Sequence, residues 1–298
     1  MSVRAEIMRL FLRIVVRPNV QSNASLDRVR RHVAFLTRCV PRPPRSTKTA
    51  KVDAGGVPAA LITTPASRPD RHVLYLHGGA YIFGSPPLYR DMTWRIANQT
   101  RACILCLDYR LAPEHPFPAA LDDAVAAYRW MLENGADPRH VAIMGDSAGG
   151  GLLLAALMRL RDEGAPLPAA AVAVSPWTDL ALTGETLRTN AARDPLIPIA
   201  HAQRGVALYL GSADPRHPHC SPLYGDPCGL PPLLIVVGED EVLRDDAVRM
   251  AERMRAAGCD VTLDVWPRMF HSWAMLVRLL PEAKATVART CAFVNERI

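Results

Sequence analysis

Ser147 stands in Gly145-Asp146-Ser147-Ala148-Gly149, which fits the pattern G-x-S-x-G. The apolar run Val141-Ala142-Ile143-Met144 precedes it, and a helical stretch from Gly150 to Leu160 follows. A sharp strand-to-helix turn holds such a serine in a strained conformation, and glycines beside it remove side chains that would clash. The N-terminus of the following helix aims its free N–H groups at charge developing on a substrate. The pattern by itself arises often by chance. Its strand-turn-helix setting, with Gly150 and Gly151 behind it, separates it from an ordinary glycine-rich turn. The chemistry it points to is acyl transfer by a serine nucleophile.

A second motif, His77-Gly78-Gly79-Ala80-Tyr81, also follows an apolar run, Val73 to Leu76. Consecutive glycines leave backbone N–H groups uncovered, so an oxyanion can come within hydrogen-bond distance. With the N–H of Ala148, those of Gly78 and Gly79 give a three-donor oxyanion hole, in which each donor contributes about 3 kcal/mol to the transition state. His77 precedes the turn and is read as shaping the loop, not as a base.

A serine hydroxyl needs a base, because it is a weak nucleophile at its own pKa. His271 lies on the loop after the run Val261–Trp266 and is the sole histidine beyond residue 219. His201, His217 and His219 fall in an irregular stretch. His217-Pro218-His219-Cys220 looks like half of a metal site, but no second ligand pair accompanies it, so no metal is expected. The third member must be a carboxylate. After Leu233–Gly238 come Glu239, Asp240, Glu241, Asp245 and Asp246. Asp245 and Asp246 suit the first turn of the next helix, where negative charge is favourable. Glu239, Asp240 and Glu241 remain as candidates. The order serine, acid, histidine is that of α/β-hydrolases.

Groups of this kind must be held at the C-terminal ends of parallel strands. The chain supplies the elements. Residues 47–64 read as a hairpin around Gly55-Gly56. Strands at 72–77, 102–108, 140–145, 169–175, 233–237 and 261–266 alternate with helices at about 89–100, 119–134, 148–162, 245–257 and 273–297. Apolar strands alternating with amphipathic helices imply a mostly parallel sheet covered on both faces. Residues 176–231 read as an irregular, proline-rich stretch. Cys103 and Cys106 form a CxxC within one such strand, where residues three apart face opposite ways. Core packing is the expected role, and the seven cysteines suggest no disulfide framework. A reducing cytoplasm is the expected compartment.

The first 45 residues stand apart. They hold ten arginines against Glu6 and Asp27, a net +8, so the other 253 residues carry −2 of the chain's +6. This is a basic appendage, whereas a nucleic-acid-binding domain spreads its cations over a folded face. Arg4, Arg9, Arg13 and Arg17 interrupt any signal-peptide core. Ile7, Leu10, Phe11, Ile14 and Val15 recur at helical spacing, as do Leu26, Val29, Val33, Leu36 and Val40. Arg9, Arg13 and Arg17 share the face opposite the first stripe. Two readings fit: a pair of helices packed on the body as a lid with solvated arginines, or a helix lying on an anionic membrane surface. The lid is preferred. In the 298 residues, 49% are apolar and 21% charged, ordinary values for a globular protein with a sizeable core. The longest uncharged apolar window, Gly164 to Thr178, is too short to span a membrane.

The motifs together resemble the hormone-sensitive-lipase family of α/β-hydrolases, bacterial carboxylesterases among them. The resemblance rests on His77-Gly-Gly-Ala-Tyr81, Leu107-Asp-Tyr-Arg-Leu-Ala-Pro-Glu-His-Pro-Phe-Pro-Ala119, Gly145-Asp-Ser-Ala-Gly-Gly150, Ser221-Pro-Leu223, Gly229-Leu-Pro-Pro232 and the His271 loop. It implies an α/β-hydrolase fold with a two-part helical cap: residues 1–45, and an insertion at about 177–215 within a catalytic domain of 46–298. Where the family carries a third glycine this chain has Ala80, and the resemblance leaves Gly78 and Gly79 as donors. Superposing Glu241-Val-Leu-Arg-Asp245 on the family's acid motif places Glu241 in the triad, ahead of Asp240. Asp146 and Glu114 are expected to support loops. The implied activity is hydrolysis of short acyl esters through an acyl-enzyme, with Ser147, His271 and Glu241 as the triad and no cofactor or metal. Two alternatives share the fold: an amide or formamide hydrolase, and a binding module that has lost a triad member. The expected partner is a small-molecule ester, without nucleic acid or stable membrane insertion. A homodimer is compatible with the sequence.

Overall fold

A computed structural model describes residues 2–20 and 25–298. In chain order it contains α1 (Val3–Phe11), a π-helical segment (Leu12–Val16), α2 (Arg17–Val20), α3 (Leu26–Cys39), β1 (Lys48–Asp53), β2 (Pro58–Thr63), β3 (His72–Leu76) and α4 (Pro86–Thr100). There follow β4 (Cys103–Leu107), α5 (Ala119–Glu133), β5 (Val141–Asp146), α6 (Ala148–Asp162), β6 (Ala170–Val174), α7 (Thr186–Thr189) and α8 (Ile199–Leu210). The last elements are β7 (Leu233–Gly238), α9 (Arg244–Ala256), β8 (Val261–Trp266) and α10 (Pro281–Asn295).

The eight strands form one sheet in the order β1-β2-β4-β3-β5-β6-β7-β8. The hairpin β1–β2 and the β2–β4 pair are antiparallel, and the other ladders are parallel. Alternation along the strands divides the core into two layers. Leu74, Ile143 and Ile235 face a cluster that includes α5, α6 and α9. Val73, Met144 and Val236 face a cluster that includes α4 and α10. Because β3, β5, β6 and β7 are buried on both sides, they read as continuous apolar runs.

Two stretches differ from the sequence reading. The final helix is divided: a short 3-10 turn, Trp273–Leu276, is separated from α10, which begins at Pro281. Proline suits the first turn of a helix and lacks the N–H that continuation from the preceding turn would require. The stretch read as irregular contains α8, whose apolar periodicity (Ile199, Ala202, Val206, Tyr209) is hidden between prolines and interrupted by Gly205.

The arginines of the N-terminal helix are engaged on the body. Arg9 Nη1 donates to Asp240 at 2.6 Å, Arg13 Nη2 to the Ala192 carbonyl at 2.6 Å and Arg17 Nη2 to the Ala191 carbonyl at 3.0 Å. Arg9 also donates to the Arg268 carbonyl, and Glu6 pairs with Arg268. Cationic forks outcompete the apolar stripe for a loop rim rich in carbonyls and carboxylates. The stripe faces outward instead. Helix α3 is tied down by Arg30, which makes a two-pronged bond to Glu114 at 2.6 and 2.7 Å and donates to the Ala112 and Ile82 carbonyls. Among the described residues no helix is long and apolar enough to cross a membrane.

Candidate active site

Strand β5 ends at Asp146, and the chain turns into α6 through Ser147, whose φ of 53° and ψ of −121° no ordinary residue adopts without strain. The turn is pinned by the Ser147 N–H, which donates to the Val174 carbonyl at 2.9 Å. It must also approach β3 closely: a Cβ on Gly149 would lie 2.1 Å from the Leu76 carbonyl oxygen. These are the physical demands behind the flanking glycines.

The loop after β8 brings His271 to the serine. His271 Nε2 and Ser147 Oγ are 2.9 Å apart, and Nδ1 lies 2.8 Å from Glu241 Oε2. The carboxylate can only accept, so Nδ1 carries the proton and Nε2 is free to take one from the hydroxyl. All three side chains are buried. Burial by itself pulls the His271 pKa down. The hydrogen bond and charge of Glu241 outweigh it, helped by the carboxylates of Asp194 and Asp146, so the imidazole is held above the ordinary histidine value.

Of the three candidate acids, only Glu241 reaches the histidine. Its Oε1 accepts from Ser175 Oγ at 2.7 Å and from the Gly238 N–H at 2.6 Å. Asp240 turns the other way, to Arg9, and Glu239 accepts from the Arg268 N–H at 3.0 Å. The insertion supports this loop from behind. Asn190 Nδ2 donates to the carbonyls of Glu239 and Glu241 at 3.0 and 2.9 Å, and Asp194 Oδ2 accepts from the Val242 N–H at 3.1 Å. Ser175 follows the end of β6, where the strand-end rule could have singled it out. Asn190 and Asp194 lie in proline-rich sequence that gave no signal.

The glycine loop departs from the expected donor set. The Gly78 N–H points at Asp146 Oδ1, 3.0 Å away, and at the Tyr89 hydroxyl, 2.9 Å away. It is therefore occupied, which corrects its placement as an oxyanion donor. The N–H groups of Gly79, Ala80 and Ala148 have no acceptor among the described residues. Gly79 has φ 127°, and a Cβ there would sit 1.9 Å from the Phe83 carbonyl oxygen. Asp146 organises this loop. Besides Gly78, it accepts from the Tyr75 hydroxyl at 2.9 Å and the Tyr89 hydroxyl at 3.0 Å. Burial pushes its carboxyl up to about 6. His77 is stacked on Tyr109, with ring centroids 4.3 Å apart, and its Nδ1 lies 2.8 Å from the Gly78 carbonyl. Burial lowers its pKa to about 4, so it is neutral and structural.

Ser147 and His271 open into a cavity of about 390 Å³. Its floor comes from the sheet side, including Gly79 and Phe270, and its far wall from the first helices, including Met8, Phe11, Val29 and Leu36. Trp177, Leu196 and Ile197 close another side. The lining is overwhelmingly apolar, as suits the hydrocarbon parts of an uncharged ligand. Among the described residues no group of three or more His, Cys, Asp or Glu side chains is placed to hold a metal ion.

Comparison with known proteins points the same way. Residues 73–275 match a family described by the alpha/beta hydrolase fold. An acetyl-hydrolase of Streptomyces hygroscopicus is 49% identical over 231 residues, which are 78% of this chain and 77% of that protein. An esterase of Acinetobacter venetianus is 34% identical over 285 residues, 95% of this chain and 93% of its own. Among solved structures, an esterase from the bacterial hormone-sensitive lipase family superposes with a TM-score of 0.95 at 43% identity, covering 100% of this chain and 99% of that one.

Proposed function

The chain belongs to the hormone-sensitive-lipase family of α/β-hydrolases and is a serine carboxylesterase, and from that premise we propose that Ser147, His271 and Glu241 are its catalytic triad. The observation that carries the assignment is the unbroken line from Ser147 Oγ through both nitrogens of His271 to Glu241, buried at the base of an apolar cavity.

His271 Nε2 takes the hydroxyl proton as Ser147 Oγ attacks the ester carbonyl carbon. The oxyanion that forms is received by the N–H groups of Gly79, Ala80 and Ala148. Glu241 accepts from Nδ1, fixing the tautomer and stabilising the imidazolium. Collapse expels the alcohol, which leaves with the proton from Nε2. Water then attacks the acyl-serine, gives its proton to His271, and the acid departs as Ser147 is restored.

The helices described within residues 1–45, with the segment of about 177–215, form a two-part cap over the triad. A cavity of limited size favours acyl groups of roughly four to eight carbons, because each methylene adds about 0.8 kcal/mol of burial only while room remains. The test is a hydrolysis panel with the purified protein: p-nitrophenyl esters of increasing acyl length, amide controls, and Ser147→Ala. Efficiency should rise and then collapse with length, and Ser147→Ala should lose at least ~10³ in kcat. Substantial activity in that variant would overturn the triad, and a rise continuing through long acyl chains would overturn the size limit.

A further inference from the structure

Eight of the ten large hydrophobic residues that stand exposed among the described residues lie between positions 3 and 36. On the first helix Val3, Ile7, Leu10 and Ile14 are 76%, 64%, 58% and 62% exposed, and their spacing places them along one face. This is the reverse of what a lid on a water-soluble protein presents. The first helix meets the body through Arg9, Arg13 and Arg17 and through Ala5, Met8 and Leu12, and leaves this second run of hydrocarbon facing outward. On α3, Phe35 is 59% exposed and is flanked on the same face by the exposed side chains of Arg28, Arg31 and Arg38. Arg4 is likewise exposed beside Val3 and Ile7.

The patch is continuous with the site. Phe11, Leu36 and Leu279 line the cavity and also reach the surface. An apolar path therefore runs from the exposed face into the pocket where Ser147 lies.

We propose that this face docks on an anionic lipid–water interface, and that the short-acyl esters cleaved by the site are drawn from that interface. The proposal rests on the esterase reading for its substrate, but not for the docking itself. Charge selects the occupant. With Arg9, Arg13, Arg17 and Arg30 engaged on the body, the described helices still leave Arg4, Arg28, Arg31 and Arg38 exposed against the single exposed acid Asp27. A second copy pressed on the same face would set arginine against arginine. An anionic headgroup layer neutralises them while the acyl boundary takes up the hydrocarbon.

The test uses the full chain and vesicles of phosphatidylcholine, alone or mixed with phosphatidylglycerol. Partitioning onto the mixed vesicles should exceed that onto phosphatidylcholine by about tenfold or more, and should weaken as salt screens the headgroups. The variant Ile7→Gln/Leu10→Gln/Ile14→Gln alters side chains outside the cavity lining. It should lose about tenfold or more of that partitioning, and of its rate on tributyrin dissolved in the vesicles, while its rate on water-dissolved p-nitrophenyl butyrate stays the same. Arg28→Gln/Arg31→Gln/Arg38→Gln should abolish the preference for phosphatidylglycerol. Absence of vesicle binding by the wild type, equal binding by the triple glutamine variants, or equal binding to both vesicle types would each overturn the proposal. Conversion of a dimer to a monomer by the Ile7/Leu10/Ile14 variant, without vesicle binding by the wild type, would assign the face to a second copy and also overturn it. Failure of the wild type on dissolved p-nitrophenyl butyrate would instead strike the esterase reading and leave the vesicle result to stand alone.

Discussion

Ser175 Oγ donates to Glu241 Oε1 at 2.7 Å, while the other oxygen of the same carboxylate faces His271 Nδ1 at 2.8 Å. The glutamate is thus held from both sides. Ser175→Ala removes one of two donors to Oε1 and leaves the Gly238 N–H. A bond to a charged group is worth ~1.5–3 kcal/mol. The expected result is a fall in kcat on the order of tenfold with KM little changed, read by steady-state kinetics on p-nitrophenyl butyrate. An unaltered kcat would show that Gly238 alone positions the acid.

Glu241→Gln and Asp240→Asn should behave differently although the residues are adjacent. The first removes the charge that stabilises the imidazolium and should cost ~10³ to 10⁴ in kcat. The second touches Arg9 instead, in a pair that is mostly shielded from water. It should leave kcat within a few-fold and lower stability by about 1.5–3 kcal/mol, the scale of a charged hydrogen bond. Thermal melts beside kinetics on both variants separate the two effects. A dead Asp240→Asn enzyme would reverse the assignment.

Gly79→Ala places a methyl group 1.9 Å from the Phe83 carbonyl oxygen at a φ of 127°. The loop must move, and its N–H moves with it. A loss of roughly 10² or more in kcat is expected, the cost of one displaced oxyanion donor. Circular dichroism should show the fold retained, since the core layers do not depend on this turn.

The pH dependence follows from His271. As the base it works only when neutral, so kcat/KM rises with pH through its pKa. Glu241, with Asp194 and Asp146, raises that pKa against the opposing pull of burial, so the acid limb should lie above the 6.5 of an ordinary histidine. Removing the Glu241 charge leaves burial less opposed, and the residual activity of Glu241→Gln should show its limb at lower pH. A limb that stays in place would mean that another group governs it.

Much of this arrangement is legible in the residues. The central parallel strands appear as apolar runs because both of their faces are buried, and Ser147 and the acid loop each follow such a run, while His271 follows the partly buried edge strand β8. Glu241 could be separated from Asp240 only through family resemblance, since adjacent loop residues carry no periodicity. Gly78 reads as a donor from sequence alone, but its N–H is claimed by Asp146 and Tyr89, which meet it across 68 and 11 residues of sequence. The N-terminal segment is legible as a helix, but its orientation is not. A hydrophobic stripe shows that one face differs from the other, not which of them the body will take. There the carbonyls of Ala191, Ala192 and Arg268, together with Asp240, draw the arginines inward.

The cavity wall and the reacting atoms come from different parts of the chain, yet they are not independent. Met8, Phe11, Val29 and Leu36 shape the space, while Ser147, His271 and Glu241 come from loops at the strand ends. Such a division invites exchange of the first 45 residues as a module to retune which ester fits. Arg9 limits that freedom, because it grips Asp240, the neighbour of the triad glutamate. A grafted N-terminus that lacked a cation at this position would reshape the pocket and also release the loop on which the acid stands.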